Sequence, residues 1–196
     1  MSQANPKIKS PNTRDQVMAS ALRLFTGNGY FNTSIPDIVR DSGVSTGSIY
    51  HHFGDKEGVA KALFDTLVGW MEEALQQIEN KNSSARDRCR DIIQLLFQIA
   101  EEEPDMMKFM LHARHKEFLP QEGPICSSRP FLHMREMVAE GITRGEIQPM
   151  DDTVAAAAVF GGALRMIQLR LDGILEKPLT EYQDDIWTTA WRSVAV

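Results

Sequence analysis

No stretch of these 196 residues approaches the ~18 to 20 uninterrupted apolar positions that a membrane helix requires. Cysteine is confined to Cys89 and Cys126, too few for a disulfide framework. The amino-terminal MSQANPKIKSPN lacks the apolar core of a secretory signal, so a cytoplasmic chain with no membrane partner is expected. Basic charge is not in excess either: 21 Lys and Arg face 27 Asp and Glu, a net charge of −6, which excludes a surface coated for nucleic acid. Alternating strand patterns, Gly-rich phosphate loops, carboxylate pairs at catalytic spacing and nucleophile–base pairings are also missing. No cofactor and no enzymatic activity are expected.

What is present is helical spacing and helix punctuation. A content of 42% hydrophobic and 24% charged residues suits a globular chain. Charge is divided unevenly: residues 1–60 carry six basic and five acidic side chains, the remainder 15 and 22. Any contact with nucleic acid therefore belongs to the first segment. Thr13 with Gln16 has the form of a capping box, and Val17, Ala21, Leu24 and Phe25 follow on one face until Gly27 and Gly29. Ser34-Ile-Pro-Asp37 is a second box with Pro36 in the first turn, opening a short helix that ends at Ser42-Gly43. Ser45 caps a third helix from Thr46 to about His52, and Asp55 a fourth from Lys56 to about Glu79. Further helices are expected at 85–102, 105–116, 128–144, 152–175 and 179–193, separated by Pro104, the 120–130 stretch, Pro149 and Pro178. The fold expected is all-α with about nine helices.

Two helices of roughly 8 and 7 residues are too short to stand alone and need the first helix to pack on. Gly43 supplies a left-handed turn between them, and Val44, Ile49 and Phe53 are the expected core contacts. The opposite face of the third helix carries Thr46, Gly47, Ser48, Tyr50 and His51, small or polar groups able to enter a DNA groove.

From Thr13 to Leu63 the sequence resembles the DNA-binding domain of TetR-type transcription regulators. The likeness lies in Ala21-Leu-Arg-Leu-Phe25, Gly29-Tyr30, Ser34 with Ile38, Gly43-Val-Ser45, Ser48-Ile-Tyr-His-His-Phe53 and Lys56-Glu57, in order and spacing. The resemblance implies that Tyr50, His51 and Lys56 meet the DNA backbone and that Thr46, Gly47 and Ser48 approach base edges. Some members carry a base-reading Arg where Pro36 stands, and Arg40 is the candidate to reach phosphate instead. It also implies a DNA-binding domain at 1–55 and a ligand-binding and dimerisation domain at 56–196, with 56–79 as linking helix. The partners expected are an inverted-repeat operator in double-stranded DNA, a small apolar effector and a second copy of the chain.

Beyond residue 80 local chemistry leads. Small residues at 155–158, Ala158 among them, with Gly161 and Gly162 permit close approach, and the stripe Ile186, Trp187, Ala190, Trp191 and Val194 must be covered; the resemblance implies that these last two helices, 153–175 and 180–194, form the dimer interface. Simple completion of the monomer core is the alternative for both helices. Met107, Phe109, Met110, Leu111, His112 and His115, joined by Met134, Met137, Phe160 and Met166, are the expected effector lining, with ordinary core packing as the alternative. His112 and His115 with Glu117 have two ligands of a metal site but no evident further one, and Cys126 is a candidate redox sensor without an adjacent cation. A metal-dependent helical enzyme and an interaction protein that no longer binds DNA are the rival classes.

Overall fold

The computed structural model describes residues 12–196, so the amino-terminal stretch without a secretory signal lies outside the described residues, apart from Asn12. Among them are ten α-helices and two single 3-10 turns, and the only extended pairing is one isolated bridge, Ile147 to Ala195. The helices are α1 (Thr13–Gly27), α2 (Ile35–Ser42), α3 (Thr46–Phe53), α4 (Lys56–Lys81), α5 (Ala85–Glu102), α6 (Pro104–His112), α7 (His115–Phe118), α8 (Arg129–Thr143), α9 (Asp152–Leu171) and α10 (Gln183–Arg192). Contacts divide the chain into two units, one reaching Trp70 and including Lys108–Ile125, the other made of Met71–Met107 and Cys126–Val196.

In the first unit α1 packs on α2 and α3. Val17, Ala21, Ile38, Ile49, Val59 and Leu63 have no exposed surface and form its core. Helix α1 starts one residue differently from the expectation. Thr13 is already helical, and the cap is Asn12, whose side chain accepts from the Arg14 N–H at 3.0 Å. The expected helix at 105–116 is broken after His112. The chain turns there so that both His115 and Phe118 are buried, against Phe109 and, for His115, Phe64. One turn of helix geometry is given up to place two rings in the core.

In the second unit α5 packs on α8, α9 and α10, and α9 packs on α8 and α10. Ile92, Ile93, Phe97, Val138, Val159 and Ile167 are fully enclosed. Gly141 permits the close approach of α5 and α8, since a Cβ there would lie 2.7 Å from that of Ala85. Arg88, buried in this core, is paired: it donates to the Asn82 carbonyl and to Glu140, each at 2.9 Å. Helix α9 ends earlier than residue 175 because Gly173 takes a left-handed φ of 72° and turns the chain. Helix α10 begins later than residue 179 because the Leu179 N–H is held by Glu101 Oε1 at 2.8 Å, within a 3-10 turn.

Candidate nucleic-acid interface

The presentation of α3 is fixed by local hydrogen bonds on both sides of a tight turn. Ser34 Oγ accepts from the Asp37 N–H at 3.3 Å and Asp37 Oδ2 accepts from the Ser34 N–H at 2.9 Å, a complete capping box at the start of α2. The Ser34 hydroxyl and N–H, with the Arg40 guanidinium, hold the Asp37 carboxyl below the usual carboxylate range. At the other end Gly43 adopts a φ of 71° and its N–H donates to the Val39 carbonyl. Ser45 then caps α3 by accepting from the Ser48 N–H. Asp41 on α2 is tied to Arg23 on α1 at 2.6 Å, and its carboxyl is lowered by Ser20 first and Arg23 second. The turn is thus anchored to all three helices of the module.

With Ile49 fully buried, α3 turns Thr46, Gly47, Tyr50 and His51 outward, spaced i, i+1, i+4 and i+5 on one face. Ser48 is half-buried, and Tyr50 leaves half of its surface exposed. Gly47 has open space where a Cβ would project, so nothing within the chain requires a glycine there. The empty position lets another molecule approach the backbone closely. Arg40 is exposed and paired with Asp37. A cation that the pattern did not single out is Arg14, exposed at the start of α1 with its guanidinium 5.9 Å over the Phe53 ring at the end of α3. No periodicity marks it, because stacking across two helices leaves no trace in either one.

Lys56 is tied into its own module at the start of α4. Its Nζ donates to the Tyr30 carbonyl at 3.0 Å and the Thr33 carbonyl at 2.9 Å and lies 4.1 Å from the centre of the Tyr30 ring. Partial burial pushes its ammonium below the ordinary lysine value. The adjacent Gly58 is needed for packing: a Cβ would meet the Phe53 carbonyl oxygen at 1.8 Å.

The residues expected to line an effector site are distributed over both units. Phe109 and His112 line a cleft of about 340 Å³ in the first unit, together with Tyr30, Phe31, Lys108 and Arg114 among others. His115 and Met110 are buried in that unit, and Leu111 is half-buried. Met107, Met134, Met137 and Phe160 are buried in the second unit, and Met166 is half-buried there. His112 is exposed while His115 is enclosed, so the two do not present a shared ligand pair; among the described residues no three His, Cys, Asp or Glu side chains are grouped to hold a metal ion. Cys126 is exposed, whereas burial pushes the Cys89 thiol up to about 12.

The residues expected to pair two copies also divide. Trp187, Ala190 and Val194 turn inward and are covered by their own chain, so they leave little surface for another. Gly161 and Gly162 are exposed, and Ala158, Ile186 and Trp191 are half-buried. Helix α9 has an 18-residue window of mean hydropathy 1.4, long and apolar enough by composition to cross a membrane, yet only 28% of that window is buried.

Residues 17–63 match the family described as "Bacterial regulatory proteins, tetR family". The HTH-type transcriptional regulator HbdR of Aromatoleum sp. (strain CIB) is 35% identical over 80 residues, 40% of this chain and 35% of that protein. This chain thus aligns with little over a third of HbdR. The HTH-type transcriptional repressor KstR2 of Mycolicibacterium smegmatis is 26% identical over 139 residues, covering 69% of this chain and 68% of its own. In fold, the chain is similar to FadR from Bacillus subtilis, solved in complex with stearoyl-CoA, with a TM-score of 0.78 at 20% identity over 89% of this chain and 96% of that one. The capped and anchored reading helix and the family match fall on the same stretch: residues 17–63 carry the helix-turn-helix module of the tetR family of bacterial regulatory proteins.

Proposed function

We propose that this regulator is a cytoplasmic repressor that binds an inverted-repeat operator as a homodimer and is released by a small, largely apolar effector. The observation that carries the DNA reading is the outward face of α3, where Thr46, Gly47, Tyr50 and His51 stand free on a helix fixed at both ends. Residues 1–55 serve as the DNA-binding domain and 56–196 as the sensing and pairing domain. Few contacts come from one small module, and a twofold partner doubles them at a spacing of one helical turn. The surface of α9 supports that partner: an apolar helix left largely uncovered by its own chain calls for a second copy. Ala158, Gly161 and Gly162 allow close approach, with Ile186 and Trp191 beside them in the pairing surface.

The effector reading rests on the buried methionines of the second unit, Met107, Met134 and Met137, with Phe160, which form an adaptable lining. The stearoyl-CoA held by the FadR relative favours a chain-like apolar effector here. Helix α4 is continuous from Lys56 to Lys81 and contributes residues to both units, so it is a direct covalent route between sensing and reading. An effector that prefers one arrangement and DNA that prefers another must oppose each other reciprocally, by about 1 to 3 kcal/mol for a 5- to 150-fold change.

The test is fluorescence anisotropy with a labelled duplex from the DNA flanking the chain's own coding region, at physiological salt. Tyr50→Ala and Thr46→Ala should each weaken binding about tenfold, the equivalent of one good contact, with unfolding midpoints unchanged. Full affinity in both variants would sink the assignment of α3 as reading helix. Stearoyl-CoA added to the same complex should lower anisotropy; a panel of acyl thioesters and free fatty acids that leaves it unmoved removes the chain-like effector.

A further inference from the structure

The cleft of about 340 Å³ in the first unit has a character of its own, separate from the methionines of the second unit. Its volume reaches the lower range of small-molecule sites, about 300 Å³ and above. One wall is aromatic: Tyr30 and Phe31 meet edge to face with centroids 5.2 Å apart, and Tyr30 stacks on Phe118 at 4.2 Å. Phe31 is 66% exposed, an apolar ring held at the rim with nothing over it. This arrangement is stiff before anything binds, since Tyr30 is also fixed by the Lys56 ammonium over its ring.

The same lining carries cations. Lys108 is half-buried as a residue and forms no ion pair among the described residues, so its charge has no counter-ion there. Arg114 also lines the cleft, 82% exposed at the side chain and paired at 3.1 Å to Glu117, the one acid of the lining, and His112 adds a further polar group. In a chain of net charge −6 a cleft with more cations than anions is a local reversal, and it sits against a stacking wall.

We infer that this cleft is a binding site for a planar aromatic carboxylate, its ring laid on Phe31 and Tyr30 and its carboxylate turned to Lys108 and Arg114. Stacking supplies shape selection and the Lys108 ammonium, without a counter-ion of its own, supplies the charge-assisted bond. The site uses neither the outward face of α3 nor the methionine lining. It therefore stands or falls independently of the operator and of the apolar effector.

Isothermal titration of the full chain with naphthoate, and in parallel with its neutral amide, tests it. Naphthoate should bind saturably at one site per chain and about tenfold tighter than the amide. Lys108→Glu should weaken naphthoate by about tenfold or more while leaving the amide unaffected, and Phe31→Ala should weaken both. Both side chains are at least partly exposed, so thermal unfolding should be unchanged and serves as the folding control. Equal affinity for acid and amide, unaltered binding in the two variants, or no saturable binding overturns the assignment. Because no DNA is present in the titration, failure here leaves the operator reading untouched, and loss of operator binding leaves this site untouched.

Discussion

The Lys56 ammonium closes the loop between α1 and α2 by donating to the carbonyl of Tyr30 at 3.0 Å while lying over the same residue's ring at 4.1 Å. Together with the bond to Thr33 at 2.9 Å this makes the first residue of α4 a clamp on the loop that sets α2. Lys56→Met leaves two carbonyls without their charged donor. It should destabilise the protein by about 1 to 2 kcal/mol, the lower part of the range for bonds to charged groups because the side chain is partly solvated. Urea denaturation reads this directly. A side chain whose whole role is to touch phosphate would leave the midpoint where it was.

His115 makes stability depend on pH. Enclosure among Phe64, Phe109 and Phe118 pushes its imidazole below the ordinary 6.5, against a smaller upward effect of the hydrogen bond with the Phe109 backbone. The unfolded chain takes up this proton below 6.5 and the folded chain resists it. Its contribution is therefore full above that value and is lost as pH falls toward the folded one, with a slope of at most about 1.4 kcal/mol per pH unit. Denaturation midpoints measured between about pH 7.5 and about pH 5 should decline, and His115→Met should flatten that decline. An identical slope in the variant would assign the effect to other groups.

Two glycines of the head answer different demands. Gly43 has a φ of 71° and open space around a Cβ, so Gly43→Ala meets only conformational strain of about 1 to 2 kcal/mol, and Gly43→Asn less. Gly58→Ala drives a methyl into the Phe53 carbonyl at 1.8 Å, which side-chain rotation cannot relieve. Its cost should exceed that of Gly43→Ala, with part of the helical signal of the head lost on circular dichroism. The reverse order of the two midpoints would contradict the packing of α3 on α4.

His133 lies between two carboxylates of α4, Nδ1 at 3.0 Å from Glu72 and Nε2 at 3.2 Å from Glu79. The Glu79 carboxyl is held below its ordinary value, as hydrogen bonds from His133 and Gln76 outweigh the raising effect of burial. His133→Leu fills similar space but gives neither acid a partner. A loss of about 1 kcal/mol is expected, the net worth of a hydrogen bond, because both carboxyls are partly exposed and Glu79 keeps Gln76 and Arg88. Glu79→Gln in the His133→Leu background should recover part of it, and additivity of the two substitutions would deny the coupling.

Val154 and Gly161 sit exposed on α9, and a side chain added at Gly161 meets nothing within its own chain. Gly161→Arg should therefore leave the folded monomer intact while weakening self-association by about tenfold or more. Sedimentation velocity across a concentration series measures the shift, and operator affinity should fall in step. A monomeric parent protein, or a variant that pairs as well as the parent, would remove α9 from the interface.

Helix starts and turns were legible in the sequence because their chemistry closes within four residues. Ser34 with Asp37, Ser45 with Ser48, Asp55 with Gly58 and the left-handed Gly43 each satisfy backbone groups locally, so residue order alone determined the all-α fold and the shape of the reading module. The outward face of α3 followed from Ile49 and the helical period. Tertiary structure alone decided where side chains with two plausible destinations went. Lys56 turned to carbonyls 23 and 26 residues away, His115 went inside while His112 stayed out, Trp187 filled its own chain's core, and residues 108–125 joined the amino-terminal helices. Each of those outcomes is settled by desolvation and contact with groups distant along the chain, and periodicity carries no record of which distant group arrives.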